Sequence, residues 1–128
     1  MATQPTTLGA FSVSLAVKNI QASRAFYEKL DFEVVGGNEA QNWLILRNGS
    51  VTIGLFQGMF PRNMLTFNPG WDQNAQPVGE FQDVREHKRR LASTGLEPSS
   101  MADEPATGPA HFTLIDPDGN PILIDQHV

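Results

Sequence analysis

Hydrophobic and polar residues alternate with a period of two near the start of the chain, and this alternation predicts a strand with one apolar face. Val13, Leu15 and Val17 lie on the apolar face, and Ser12, Ser14 and the small Ala16 lie on the other. Asn19 follows as a candidate helix cap. The helical stripe after it consists of Ile20, Ser23, Phe26, Tyr27 and Leu30. The segment is predicted to form a strand followed by an amphipathic helix.

Three further strands are predicted in the first half. The run 32–35, Phe-Glu-Val-Val, is predicted to be a strand that ends at Gly36-Gly37. The runs 43–46 and 51–56 flank Asn48-Gly49, a strong signal for a two-residue hairpin turn. The first half therefore predicts the order β-α-β-β-β.

The second half repeats this order more loosely. The predicted elements are a strand at 64–67, a loop at 69–77 that contains Trp71, a helix at about 80–93 stopped by Gly95, a weak strand at 96–101, and a hairpin of 111–115 with 122–125. In the hairpin turn, Pro117 pre-sets φ and Gly119 supplies a positive φ. The chain is thus interpreted as one α+β domain, 1–128, built from two tandem βαβββ modules at about 10–57 and about 63–127.

Composition narrows the function classes. A chain of 128 residues fits one domain, and a net charge of −5 disfavours nucleic acid as a partner. Because the chain has no cysteine, disulfides and thiolate chemistry are excluded. The sequence shows neither a run of about 18 apolar residues nor a signal-peptide pattern at its start, so we expect a cytoplasmic protein that does not bind membranes.

Two stretches resemble the vicinal oxygen chelate superfamily, which includes glyoxalase I, bleomycin-resistance proteins, fosfomycin-resistance enzymes and extradiol dioxygenases. They are Val17-Lys18-Asn19-Ile20 with Ala25 to Val34, and Asp116 to Ile122. In this sequence Asp31 stands where the family usually has glycine. The resemblance implies two curved mixed sheets around a ligand-holding cup (the glyoxalase/bleomycin resistance fold), and a homodimer.

The resemblance also implies positions for a divalent metal, held by His or Glu side chains of four strands. Carried over, these positions are Ser12, Gly54, Met64 (or Asn63, in a register shifted by one residue) and Leu123. Such a cation needs carboxylate oxygen or imidazole nitrogen, and Gly54 and Leu123 have no donor group. We therefore expect no metal and no other cofactor.

A small organic ligand is the expected partner. Ser12, Ser14 and Thr66 lie on the polar faces of their strands and should direct hydroxyl groups into the cup. Trp71 is interpreted either as a ring that stacks on the ligand or as a plug of the cup's mouth or of the dimer seam; Trp43 is also a candidate for the core. The predicted ligand-binding residues are Ser12, Ser14, Trp43, Phe56, Thr66, Trp71 and Leu123.

Three other sets of charged or titratable residues each allow two interpretations. His111 is interpreted as a single hydrogen-bonded or exposed residue at a strand end; a two-His, one-carboxylate metal site formed with Asp125 and His127 is the alternative, which the penultimate position of His127 disfavours. The run His87 to Arg90 reads as a solvated helix face, with anion binding as the alternative. Asp103-Glu104 reads as a polar loop or as a general base.

These observations favour a metal-independent protein that binds a small molecule, as bleomycin-resistance members do. The alternatives are a glyoxalase-like lyase or a dioxygenase with a displaced metal site, and an interaction module whose dimer face is its functional surface. Whether the protein is an enzyme is left open by the sequence, because the superfamily supports many reactions.

Overall fold

The computed structural model describes residues 7–99 and 107–128. Its strands are β1 (Ala10–Val17), β2 (Glu33–Asn38), β3 (Trp43–Asn48), β4 (Val51–Gln57), β5 (Met64–Asn68), β6 (Ala110–Ile115) and β7 (Pro121–Gln126). Its α-helices are α1 (Ile20–Glu28) and α2 (Val84–Ser93), and a short 3₁₀ helix spans Glu39–Gln41. The predicted α+β class is confirmed. Within the described part of the chain, neither helix is long and apolar enough to cross a membrane.

The chain divides into two compact units. One unit is Ser12–Leu65, and the other combines the residues up to Phe11 with Thr66–Val128. Each unit has its own hydrophobic core.

The unit Ser12–Leu65 has the predicted order β-α-β-β-β. Its strands lie in the order β2-β3-β4-β1, with β1 parallel to β4 and the other neighbours antiparallel. The core lies on one face of this sheet, where Ile20 of α1 packs with the apolar strand residues. These strand residues are Leu15, Val17, Leu44, Leu46, Ile53 and Leu55.

Helix α1 begins as predicted, because the Asn19 side chain accepts a hydrogen bond from the Ala22 N–H at 3.1 Å. The start of the helix is tied to β4, where Gln57 Oε1 accepts from the Ile20 N–H at 2.8 Å. The predicted apolar stripe is wrong at two positions. Phe26 and Leu30 are exposed, since the helix ends at Glu28 and its inner face turns toward Ile20 and Tyr27.

Two strand boundaries differ from the prediction. Gly36-Gly37 does not end β2 but lies within it, at an irregularity in the register with β3. A Cβ on Gly37 would lie 2.7 Å from Leu44 Cα, so the close approach of the strands requires glycine there. The hairpin of β3 and β4 is confirmed, but Asn48 pairs with Val51, so the two turn residues are Gly49-Ser50.

In the second unit, β7 lies between β5 and β6. Its core consists of Val84, Phe112 and Ile124. Helix α2 begins at Val84 and not near residue 80, because Asp83 caps it by accepting from the Arg85 N–H at 2.9 Å. The buried Gln126 side chain accepts from the Val84 N–H at 2.7 Å, which fixes the helix start to the last strand.

The predicted turn between β6 and β7 is confirmed. The Gly119 N–H donates to the Asp116 carbonyl at 3.0 Å, and Gly119 has φ +86°. Asp116 Oδ1 accepts from the Asn120 N–H at 2.8 Å. The Asn120 side chain also donates to Asp116 Oδ2 at 2.9 Å, and this bond, together with that from the Asn120 N–H, lowers the pKa of Asp116.

The predicted weak strand at 96–101 is wrong for residues 96–99, which form no strand. Pro98 has no N–H for a strand ladder, and only Ser99 bonds to β6, through the Thr113 carbonyl at 2.9 Å. The rest of that segment lies outside the described residues.

Candidate functional site

The face of the Ser12–Leu65 sheet opposite its core carries polar and aromatic side chains. Because side chains alternate along a strand, the residues between the core positions point to this second face. We call it the aromatic face and define it by Ser14 of β1, Trp43 and Arg47 of β3, and Gly54 and Phe56 of β4. The register confirms that they are neighbours: Ser14 pairs with Gly54, and Trp43 pairs with Phe56.

Three aromatic rings form the most distinctive feature of this face. The rings of Trp43 and Phe56 are stacked with an interplanar angle of 6° and centroids 6.3 Å apart. The ring of Phe60 packs against that of Phe56, with the two centroids 5.3 Å apart. All three residues are partly accessible and lie outside the core cluster, so the interpretation of Trp43 as simple core is wrong. Planar rings of this kind offer a stacking surface to a planar ligand.

The ring of Phe56 covers Gly54. A Cβ built on Gly54 would lie 2.4 Å from Phe56 Cε2 and 3.4 Å from Ile45 Cδ1. The space into which a side chain of residue 54 would project is therefore already filled by an aromatic ring. Gly54 is one of the positions at which the resemblance places a metal ligand.

The remaining metal positions are no better suited to a cation. Asn63 Oδ1 accepts a hydrogen bond from the Ala16 N–H at 2.9 Å, so it holds β1 in place. Ser12, Met64 and Leu123 are half-buried, and neither a thioether nor an alkyl chain suits a hard or borderline cation. The donor set does not fit the metal that the superfamily implies.

Arg47 lies on the aromatic face and was not among the predicted site residues. Its Nε is buried and has no hydrogen-bond partner in the described part of the chain. The predicted strand 43–46 ended one residue before Arg47, whereas β3 extends to Asn48, so that Trp43, Ile45 and Arg47 alternate on one side of the observed strand. The continuation of this alternation to a basic residue was the signal in the sequence.

The other predicted site residues belong to the second unit. Thr66 and Leu123 are half-buried on β5 and β7. Trp71 lies in the predicted loop, where its indole stacks on the imidazole of His127 with centroids 4.8 Å apart. The structure thus brings Ser14, Trp43 and Phe56 together on one face and places Trp71 beside the last strand.

His127 is paired with Asp125. His127 Nε2 lies 3.1 Å from Asp125 Oδ2, and this hydrogen bond raises the pKa of His127 despite partial burial. His111 is the partner of Asp125 across β6 and β7. His111 is exposed, in agreement with its preferred interpretation. The alternative of a three-residue metal site is not supported, because nowhere in residues 7–99 and 107–128 do three His, Cys, Asp or Glu side chains form a group that could hold a metal ion.

The basic run of α2 is not a uniformly solvated face. His87 is fully buried, and its Nδ1 accepts from Arg90 Nη2 at 3.1 Å. Burial lowers the pKa of His87, and the charge of Arg90 lowers it further. Position 87 faces inward because it lies three residues after Val84 on the same side of the helix. Asp103-Glu104 lies outside the described residues.

Comparison with known proteins identifies the fold. No family model matches the sequence, and no curated protein matches it. A solved structure described as the NAD-dependent benzaldehyde dehydrogenase from Legionella pneumophila is 18% identical with a TM-score of 0.66, and the match covers 92% of this chain and 99% of that chain. A glyoxalase/bleomycin resistance protein/dioxygenase superfamily member from Vibrio splendidus 12B01 is 17% identical with a TM-score of 0.61, covering 91% of this chain and 97% of that one.

A larger protein contains the same fold. A variant of homoprotocatechuate 2,3-dioxygenase from B. fuscum is 17% identical with a TM-score of 0.51. The match covers 94% of this chain and 33% of that chain, so this chain spans about a third of the dioxygenase. At these identities the comparisons establish the fold. The chain has the glyoxalase/bleomycin resistance/dioxygenase fold, and the predicted fold is confirmed.

Proposed function

We propose that this chain is a metal-independent protein that binds a small planar organic molecule on the aromatic face. The observation that carries the proposal is the position of Phe56 over Gly54, where a Cβ would lie 2.4 Å from the ring. A side chain that could ligate a metal has no room there. In its place the sheet offers a stacked pair of rings, Trp43 and Phe56.

The chemistry of the face supports an organic ligand. Small-molecule sites are mostly apolar or aromatic and have a few polar groups that orient the ligand. Here the rings supply the contact area, and Ser14 lies next to Gly54 in the register of β1 and β4. Thr66, Trp71 and Leu123 of the second unit, together with Ser12, stay predicted ligand-binding residues.

Isothermal titration calorimetry with 2-naphthamide, a neutral planar probe, tests the proposal. We expect wild-type protein to bind the probe, and Trp43→Leu to weaken binding about tenfold, since the loss of one stacked ring costs roughly 1–3 kcal/mol. Phe26→Leu is the matched control, because Phe26 is an aromatic residue of the same unit that is exposed on α1. Equal weakening by both variants, or no binding by the wild type, would contradict the proposal.

The metal-dependent alternative makes a different prediction. A lyase or dioxygenase with a displaced metal site would retain stoichiometric Ni, Zn, Fe or Mn after purification and would lose probe binding or activity after dialysis against EDTA. We expect elemental analysis to find less than stoichiometric metal and EDTA to leave probe binding unchanged. The same samples serve for sedimentation velocity, which tests the predicted homodimer.

A further inference from the structure

Arg47 has an unusual environment for an arginine. Its Nε is buried, and the described residues provide this atom with no hydrogen-bond acceptor. Leaving a buried donor unpaired is unfavourable, and more so when the group is charged. The Arg47 guanidinium therefore retains hydrogen-bonding capacity that the described residues do not use.

The register places Arg47 beside the aromatic cluster. Gly54 pairs with Ile45, and the edge of the Phe56 ring lies over Gly54. Arg47 is the next residue after Ile45 on the same face, about 7 Å further along the strand. A planar molecule that lies beside Phe56 and Ile45 would therefore bring a substituent on its end nearest Arg47 within reach of the guanidinium.

Two neighbours within the sheet do not satisfy the guanidinium. Glu33 of β2 and Thr52 of β4 flank Arg47 as its cross-strand partners. Neither accepts a hydrogen bond from Arg47 Nε in the described part of the chain, and Glu33 is exposed. The acceptor is accordingly left to the ligand.

We propose that the ligand of the aromatic face is a planar aromatic carboxylate, whose oxygens accept hydrogen bonds from Arg47 while its ring lies beside Phe56. This inference rests on the proposed function and specifies in addition that the planar ligand is an anion. The planar fork of arginine matches a carboxylate. Arg47 is the basic residue among the described strand positions of this face, and a single cation matches a monoanion better than a phosphate dianion.

Three matched probes test the inference by calorimetry: 2-naphthoate, its neutral analogue 2-naphthamide, and 2-naphthyl phosphate. We expect the wild type to bind 2-naphthoate at least about tenfold more tightly than 2-naphthamide, since a hydrogen bond to a charged group is worth about a factor of ten or more. We expect 2-naphthyl phosphate to bind no more tightly than 2-naphthoate. Arg47→Gln should abolish the preference for the carboxylate and leave 2-naphthamide binding unchanged.

Arg62→Gln is the control, because Arg62 is an exposed arginine of the same unit and should keep the wild-type preference. If Arg47→Gln does not fold, the preference of the wild type alone decides the question. Equal binding of carboxylate and amide by the wild type overturns the inference but leaves the proposed function standing. Binding of neither probe overturns both, and preference for the phosphate overturns the carboxylate assignment.

Discussion

The indole of Trp71 lies against the imidazole of His127, with ring centroids 4.8 Å apart and 26° between the planes. The contact places one of the two tryptophans next to a titrating group whose pKa is raised by the Asp125 carboxylate. A protonated imidazole attracts an aromatic face and quenches indole fluorescence. The fluorescence of Trp71 should therefore report the charge of His127.

We predict that a Trp43→Phe variant, in which Trp71 is the remaining tryptophan, fluoresces more weakly at low pH than at high pH. The midpoint should lie above 6.5, the ordinary pKa of histidine, because Asp125 stabilises the protonated ring. Asp125→Asn should lower the midpoint, and His127→Gln should remove the transition. A midpoint below 6.5, or one that Asp125→Asn leaves unchanged, would contradict the arrangement.

The contact between Phe56 and Gly54 predicts a stability change. Gly54→Ala should lower the free energy of unfolding by about 1–3 kcal/mol, the usual effect of adding a methyl group to a filled space. The Phe56 ring cannot simply swing away, because it is packed between Trp43 and Phe60. Urea denaturation monitored by circular dichroism measures the change.

Gly79→Ala is the matched control for this substitution, because a Cβ on Gly79 meets nothing within 4 Å and its φ is not positive. Its unfolding free energy should change little. The double variant Gly54→Ala with Phe56→Leu should be more stable than the sum of the single effects predicts, because the smaller side chain relieves the contact. Additive effects would show that the two residues do not compete for space.

Asp31 occupies a backbone conformation that favours glycine, with φ +67°. Residues other than glycine lose roughly 1–2 kcal/mol in this region, although aspartate tolerates it better than most. Replacing Asp31 by glycine removes this cost, but part of the resulting gain in stability is offset because glycine makes the unfolded chain more flexible. We predict that Asp31→Gly raises the free energy of unfolding by about 0.5–1 kcal/mol.

Asp118→Gly provides the comparison for Asp31, because Asp118 is an exposed turn residue without a positive φ. It should lower stability or leave it unchanged. Urea denaturation of both variants under the same conditions is the measurement. If both substitutions change stability alike, the conformation of Asp31 carries no strain.

The burial of His87 predicts that stability depends on pH. Its pKa in the folded state is lowered by burial and by Arg90, so the unfolded chain binds the proton more readily. The contribution of His87 is fully present above the unfolded pKa of about 6.5 and is lost as the pH falls through that value toward the folded pKa. Protonation also opposes the hydrogen bond in which Arg90 donates to Nδ1.

Urea denaturation between pH 5 and pH 8 tests this prediction. The unfolding free energy of His87→Leu should fall less on acidification than that of the wild type. His111→Gln serves as control, because His111 is exposed, and its pH dependence should match the wild type. Parallel curves for the wild type and His87→Leu would mean that His87 does not titrate between the two states.

Local sequence determined much of this fold. The alternation of Val13, Leu15 and Val17, the Asn19 cap and the Asp116 to Gly119 turn each depend on interactions within a few residues. These interactions use hydrogen-bond geometry and side-chain periodicity, which the sequence displays directly. The two predicted hairpins and both helices were found for this reason, with errors of a few residues at their ends.

Tertiary packing decided which side chains are buried, and local sequence patterns could not predict this at every position. His87 is buried because the Val84 side of α2 packs onto a core formed with Phe112 and Ile124, and a basic run in the sequence gives no sign of that. The Phe26 ring is exposed because α1 ends early and turns another side to its sheet.

The sequence by itself determined which residue types stand at the metal positions that the resemblance implies. Only the tertiary structure decided that the space above Gly54 is filled by Phe56, and that the buried Nε of Arg47 has no acceptor among residues 7–99 and 107–128. The physical reason is that contacts between strands depend on register and side-chain direction. These are fixed when the whole sheet assembles, whereas residue identity and periodicity are present in the chain before it folds.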